Sequence, residues 1–560
     1  MPAIFSVFYS DYFRSFVKNR ANMKLSTLLL VLFLVPFITY SQLPSSFDLR
    51  DYNGENFVTS VKSQLEGTCW THGTMAAIEG NLLMTGIWTG AGETGEPNLA
   101  EYHLDWWNGF NQHNNDDITP PTGAGLEVHM GGDYRVATAY LSRGEGAVRD
   151  IDGQSFDNPP LRYSDNYHFY YPRTVEWFTL GEGLLHIDEI KTEIMNHGVI
   201  ATCMCYSNAF INSNYTHYQP PSNSTDPNHS VAIVGWDDNK QTQAPLPGAW
   251  ICKNSWGSNW GLNGYFWISY YDKHACRHPE MGAIVFKEVE PMQYEKVFYH
   301  DYHGWRDQMD DVTHAANRFA LDDDYILEAV SFFCNAADVG YSVTIYETIT
   351  TNGPENELFS FSGILDNIGF HTLSLPSPLD LTGKDEFSIV LELNDGGMPY
   401  DRTSDIPVLL GSSQRTIVES TAAPEQSYFL NPSTEEWEDF FNYNDPSGFT
   451  NTGNFCIKGL ASQSTVGISN SCKNNISSIA IAPNPAQKVT QITLLNEVAQ
   501  TAEIRLCDLN GQVVVQTIVT LIQGKNQTIL ELPSHLKSGI YALQIKGSKG
   551  FLAVKKLIIE

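Results

Sequence analysis

Three separated motifs carry side chains that together could cleave an acyl bond. The first runs Val61-Lys-Ser-Gln-Leu-Glu-Gly-Thr-Cys-Trp-Thr-His-Gly. Its Cys69 sits where a helix is expected to begin, and the positive end of a helix dipole favours thiolate over thiol. A thiolate nucleophile needs a basic partner that can also protonate a leaving amine. The second motif, Asn228-His-Ser-Val-Ala-Ile-Val-Gly-Trp-Asp-Asp, supplies His229 at the mouth of an apolar strand. The third, Trp250-Ile-Cys-Lys-Asn-Ser-Trp-Gly, supplies Asn254, whose side-chain carbonyl can orient an imidazole. Trp256, two residues on, is placed to screen that hydrogen bond from water and to line the substrate site. Cys69 alone would be read as a buried apolar residue or half a disulfide; Cys, His and Asn together read as a nucleophile, its base and an orienting group.

The elements that must hold these groups follow from periodicity. Thr68–Leu83 reads as a helix, and so does Ile187–Asn196, with Ile187, Ile190 and Ile194 at helical spacing and Gly198 just beyond. Val231–Val234, Trp250–Cys252 and Tyr265–Ser269 read as strands. From about Lys287 to Leu460 the period becomes two. Tyr341-Ser-Val-Thr-Ile-Tyr and Phe387-Ser-Ile-Val-Leu-Glu-Leu alternate, with turn signals such as Asn352-Gly353 and Asn394-Asp-Gly-Gly. Short strands with regular turns imply a β-sandwich. Residues 461–478 are rich in Ser and Asn and read as a linker. Residues 479–560 alternate again, at Glu503–Leu506, Gln512–Val515, Ile540–Ile545 and Phe551–Ile559.

Composition narrows the class. The 560 residues carry 33 Lys and Arg against 64 Asp and Glu, a net charge of −31, with 42% apolar and 17% charged residues. Such a chain builds cores, and its acidity argues against nucleic acid as a partner. The region 476–560 alone holds eight basic and five acidic residues, which sets it apart from the acidic remainder. Residues 1–41 read as a secretory signal: Leu25–Ile38 is apolar apart from Ser26, Thr27 and Pro36, with Lys24 before it and Thr39 and Ser41 at the exit. Met23 reads as the natural start. Nine Cys is too few for a disulfide scaffold. Cys203-x-Cys205 is too closely spaced for the usual zinc pair, so a disulfide or a buried thiol is the expectation for these cysteines and for Cys252 and Cys276. Asp322-Asp323-Asp324 lacks the alternation of a calcium loop and reads as a solvated turn. Neither metal nor cofactor is implied. His72 reads as a helix-face residue.

The three motifs resemble those of the papain-like cysteine peptidases, as does the opening Leu43-Pro-Ser-Ser-Phe-Asp-Leu-Arg-Asp. The resemblance implies an α+β two-lobed domain over 42–287 that hydrolyses peptide bonds of protein or peptide substrates. Cys69 would be the nucleophile, His229 the base and acid, Asn254 the orienting group, and Gln64 an oxyanion donor beside the Cys69 amide. Gly131-Gly132 resembles the glycine pair that binds substrate backbone at the subsite of the second residue before the scissile bond. Gln64 to Cys69 is five positions, one fewer than usual in the family, and Thr71-His72 replaces the usual Ala-Phe. Two cysteines that usually cross-link the family's loops are missing.

Residues 288–460 resemble the lectin-like domain of some microbial papain-like peptidases, through His314-Ala-Ala-Asn-Arg-Phe, Leu327-Glu-Ala-Val-Ser-Phe-Phe and Asn454-Phe-Cys-Ile-Lys. A glycan ligand is implied by that label; a packing module is the plain alternative. Residues 479–560 resemble the C-terminal sorting domain of type IX secretion, through Ala482-Pro-Asn-Pro-Ala, Ser538-Gly-Ile-Tyr and the closing Lys-Lys-Leu-Ile-Ile. The resemblance implies export through the periplasm to the cell surface or medium by that machinery. The competing functional reading is an inactive papain-like scaffold that binds glycan or protein at the surface.

Overall fold

The computed structural model describes residues 43–118, 122–464, 476–482, 486–496, 499–507, 513–533, 536–547 and 552–559. The signal segment 1–41, most of the linker 461–478 and the Pro-Asn-Pro of Ala482-Pro-Asn-Pro-Ala lie outside the described residues. The chain divides into two compact units at Gln463/Ser464. No helix among the described residues is long and apolar enough to cross a membrane.

The first unit is organised by helix Cys69–Thr85 and one long sheet. The helix is buried around its whole circumference from Cys69 to Leu82. Its polar positions therefore need internal partners. Glu79 finds Thr59, Lys62 and the Leu99 N–H, and Asn81 donates to His197 O. Gly86, at φ 69°, ends the helix in the left-handed conformation that glycine adopts without strain. The second expected helix spans Ile187–His197, with Ile190 and Ile194 fully buried and Gly198 beyond its end. Two further helices, Glu101–Trp107 and Tyr134–Ser142, carry no clear signal in the sequence. The first is short, and the second is buried at eight of nine positions, which hides the one-sided period that marks a surface helix.

The sheet has twelve strands. Thr216–His217, Tyr265–Ser269, Ala249–Lys253, His229–Asp237, Ile200–Met204, Ala283–Pro291 and Tyr170–Phe178 form its first half. Gly369–Asp380, Tyr325–Cys334, Ile457–Gln463 and Lys296–Phe298 continue it, and Ser46–Asp48 pairs with His229–Asp237. The seam is the pairing of Gly369, Phe370 and His371 with Glu176, Val175 and Thr174. The first and middle segments, which read as two domains in the sequence, thus share a sheet.

The middle segment is a β-sandwich. A second sheet of six strands runs Gly353–Leu365, Val339–Thr350, Glu386–Leu393, His314–Ala320, Ser427–Leu430 and Trp437–Asp439. Leu327, Val330 and Phe332 of the long sheet share a core with Val343, Phe387 and Ile389 of the second. Asn352-Gly353 makes the expected hairpin turn between two long strands. The start of the sequence-read linker, 461–463, is the end of strand Ile457–Gln463, paired with Tyr325–Leu327.

The second unit is all β. Ile476–Ala482, Val489–Asn496 and Gly524–Glu531 form one sheet. Val513–Leu521, Gln500–Cys507, Gly539–Gly547 and Leu552–Ile559 form the other. Ile492, Leu494, Ile504, Leu506, Leu543 and Leu557 fill the core. All eight described cysteines are free and buried.

Candidate active site

Cys69 is the first residue of the central helix and is buried. The loop before it is short, and the backbone absorbs this: Glu66 takes φ 51°, and the Gly67 N–H donates to His129 O at 2.7 Å. The backbone N–H groups of Ser230, Trp70 and Cys69 itself favour the thiolate, while burial pushes the thiol up to about 11. The Ser230 contact matters most for geometry, because Ser230 follows His229. That approach depends on Gly73, one turn along the helix: a Cβ there would stand 2.1 Å from Ser230 Oγ. Tyr134 fixes the same strand from the other side, donating to Thr202 O at 2.7 Å and meeting Ser230 Oγ at 2.7 Å.

His229 begins strand His229–Asp237 and is buried. Its Nε2 lies 2.7 Å from Asn254 Oδ1. The Ser255 N–H also donates to that oxygen, at 2.8 Å. An atom facing a backbone N–H must be the amide oxygen, so His229 Nε2 carries the proton in this pair. In the neutral ring, Nδ1 then holds the lone pair. Burial lowers His229 to about 4, against the Asn254 hydrogen bond that raises it. Trp256 stacks on the imidazole, with centroids 4.4 Å apart and planes 23° apart, and is itself met edge-on by Tyr206 and Trp260. The indole therefore shields the His229–Asn254 pair.

Gln64 is tied to the same strand-end. Its N–H donates to Ser255 O at 2.7 Å and its Oε1 accepts from Ser255 Oγ at 2.6 Å. Its Nε2 donates to Glu66 O at 2.8 Å, which leaves one amide hydrogen for another acceptor. Sequence reasoning misses Ser255, although it stands inside the third motif. His72 lies on the helix one turn from Cys69, buried, with Nδ1 donating to Thr68 O at 2.9 Å. Behind the site Lys62 bridges Glu79 and Glu101, both at 2.7 Å. Lys253, next to Asn254, is lowered to about 8 by burial, with the Thr59 hydroxyl as its partner at 2.9 Å.

Gly131 and Gly132 are buried beside Trp70, and Asp133 caps the following helix by accepting from Val136 N at 2.9 Å. The pair lies against the middle segment: Leu410 N–H donates to Gly132 O at 3.1 Å. Nearby, Asp117, His303 and Asp401 form the one group of metal-ligating type among the described residues. Both ring nitrogens of His303 are taken, by Ser420 Oγ at 2.8 Å and Gly109 O at 3.0 Å, so the cluster acts as a hydrogen-bonded joint.

A buried cysteine at the head of the central helix, packed close to the strand that opens with an asparagine-bound histidine, is the arrangement expected of a papain-like cysteine protease domain, and comparison with known proteins agrees. Residues 176–285 match the papain family cysteine protease, 297–461 the lectin-like domain, and 480–560 the secretion system C-terminal sorting domain. Bovine pro-cathepsin H is 31% identical over 238 residues, 40% of this chain and 59% of the relative, so the chain spans about three-fifths of that protein's length. The clostridial cysteine protease Cwp84 after propeptide cleavage superposes with a TM-score of 0.60 at 23% identity, over 75% of this chain and all of the other. The cysteine protease and lectin-like domains of Cwp84, a surface layer associated protein of Clostridium difficile, give 0.59 at 22% identity, over 76% and 90%. Three stretches of the chain are therefore similar, in order, to a papain-like cysteine protease domain, a lectin-like domain and a C-terminal sorting domain of the kind that directs secretion or cell-surface association.

Proposed function

We propose that the protein is a secreted cysteine peptidase that hydrolyses peptide bonds through an acyl-enzyme, with Cys69, His229, Asn254 and Gln64 as its working groups. The observation that carries this reading is the Asn254-bound His229, whose protonated Nε2 leaves Nδ1 as the base, on the strand whose Ser230 N–H supports the Cys69 sulfur. Burial holds Cys69 and His229 as a neutral thiol–imidazole pair at rest. In the reaction the Cys69 proton moves to Nδ1 and Sγ bonds to the substrate carbonyl carbon. The helix N-terminus and the Ser230 amide stabilise the sulfur as charge develops. The carbonyl oxygen becomes an oxyanion for which the Cys69 N–H and the remaining Gln64 amide hydrogen are donors. The imidazolium then protonates the leaving amine as the C–N bond breaks. Water, deprotonated by Nδ1, attacks the thioester carbonyl; the C–S bond breaks, the acid leaves, and the imidazolium returns its proton to the Cys69 sulfur. Trp256 keeps the orienting hydrogen bond dry.

The test is alkylation by iodoacetamide and hydrolysis of aminoacyl-coumarylamides, wild type against Cys69→Ala and His229→Ala. Labelling at Cys69 with loss of hydrolysis in both folded variants is expected. Hydrolysis that survives alkylation but is lost to chelators rules the reading out.

The proposal extends to the other segments. The lectin-like match supports a glycan ligand for the middle segment, testable by applying the full chain with Cys69→Ala to a glycan array. The sorting-domain match supports a route through the periplasm and the type IX machinery. A chain ending at Gln463 would then stay in the periplasm of a native-type host.

A further inference from the structure

In a papain-like groove an extended peptide lays its backbone along the glycine pair. In this protein that edge is already in use. Strands Ser404–Pro407 and Arg415–Val418 of the middle segment form a hairpin. Its tip is closed by Val408 N–H to Gln414 O at 2.8 Å and Ser412 N–H to Leu409 O at 2.9 Å. Leu410 lies at the tip, fully buried, with φ 47°. A leucine in the left-handed region is strained and persists only where its surroundings hold it. Its N–H donates to Gly132 O, and the Val408 carbonyl lies so close to Gly131 that a Cβ there would stand 2.2 Å from it.

The tip also reaches the segments around His229 and His278. Ser413 N–H donates to Asp226 Oδ2 at 2.8 Å, three residues before His229, and a Cβ on Gly411 would stand 2.2 Å from His278 Cε1. The hairpin is held by further bonds along its length. Thr416 Oγ1 donates to Gly125 O at 3.3 Å, and Thr421 N–H to Asp117 Oδ2 at 2.6 Å. Ile406, Leu410 and Val418 belong to the same buried core as Cys69, Trp70 and Tyr134. This is a wall anchored both beside the glycine pair and beside the His229 strand.

We infer that the tip Val408–Gln414 occupies the subsite for the second residue before the scissile bond, so that the groove holds a single substrate residue on the acyl side. The inference rests on the peptidase reading. A peptide backbone N–H at that subsite needs Gly132 O, which Leu410 has taken, and the Val408 backbone closes the approach over Gly131. Leu410 supplies the apolar side chain a substrate would otherwise bring. The substrate class is thus peptides whose recognition on the acyl side ends at the residue carrying the scissile carbonyl.

The experiment compares the rates at which Cys69 is alkylated by a one-residue chloromethyl ketone (phenylalanyl) and a two-residue one (leucyl-phenylalanyl), with iodoacetamide reporting the intrinsic reactivity of the thiol. Matching aminoacyl- and dipeptidyl-coumarylamides are run in parallel. In wild type the second residue is expected to change the rate less than about twofold. With Leu409–Ser413 replaced by a glycine-serine turn, the two-residue reagent should gain about tenfold or more while the one-residue reagent and iodoacetamide stay within about twofold. Asp226→Ala, which releases one tether without touching the core, should move the ratio in the same direction by about threefold, and a thermal unfolding curve shows that each variant is folded. A tenfold gain from the second residue already in wild type, or an equal rise for all reagents in the turn variant, overturns the inference. Because alkylation is read directly, absent hydrolysis with normal labelling would remove the peptidase reading without touching the result on the subsite.

Discussion

The two banks of the groove are built on different principles. The His229–Asn254 bank is held by side-chain contacts gathered at one strand-end: Asn254 to Ser255, Gln64 to Ser255, Trp256 on His229. The Gly131–Gly132 bank is completed by a segment some 280 positions away, through backbone atoms and apolar burial. On the proposed reading the first bank carries the chemistry and the second sets what reaches it. A change on the first should therefore alter turnover, and a change on the second should alter selectivity.

The sharpest test of that contrast is Cys69→Ala, expected to lower kcat/KM by at least ~10⁴-fold with an unchanged unfolding midpoint, since no covalent step remains. Activity above a few per cent of wild type would place the nucleophile elsewhere. Gln64→Ala comes next, with a loss of roughly 10²–10³-fold in kcat if its free amide hydrogen meets the oxyanion. An unchanged kcat would mean that another donor fills the role and that Gln64 serves only to tie the loop to Ser255. Gly73→Ala forces the helix and the His229 strand apart. About 1–3 kcal/mol of stability should be lost, together with slower alkylation of Cys69, as read by urea midpoints and iodoacetamide kinetics. A variant as stable and as reactive as wild type would show that the close approach at Ser230 is not needed.

Acid should weaken the first unit. His229, His103, His278 and His371 are each held near pH 4 by burial. Their folded-state pKa values are depressed, so below about pH 6.5 the unfolded chain binds more protons than the folded one. Their contribution to stability is complete above that value and is lost as pH falls toward 4. Tm at pH 4.5 should lie well below that at pH 7, and His371→Gln should flatten the slope; a flat profile in wild type would contradict the burial of these rings. The smallest effect is expected from ending the chain at Gln463. The second compact unit begins at Ser464, so Tm and peptide hydrolysis of the remainder should match those of the full chain. A drop of more than a few degrees would show that the sorting domain supports the first unit.

The sequence is most transparent where one short motif holds both a functional group and its support. Asn254-Ser255-Trp256 contains an orienting oxygen, the backbone donor that fixes it and the ring that shields it. Strand Tyr265–Ser269 and helix Ile187–His197 are legible because alternation and helical spacing are local signals. Strand Gly353–Leu365 is harder to see, since Pro354 and Asn356 stand near its start and much of its length is exposed. The contact of Leu410 with Gly132 has no local signature, because a backbone donor meeting a backbone acceptor from a distant segment leaves no trace in residue type. The shared sheet is invisible for a related reason: strand pairing between Thr174–Glu176 and Gly369–His371 depends on register that neither strand encodes alone.

That seam has a consequence for how the chain is made. During synthesis, Tyr170–Phe178 stands with one edge bare until the far partner Gly369–Asp380 has emerged, and a bare edge invites pairing with other chains. The protease half therefore matures late, when the middle segment arrives to close its flank. The two cannot be exchanged with other proteins as beads on a string: a recombination that moved the lectin-like segment would reopen the flank of the protease.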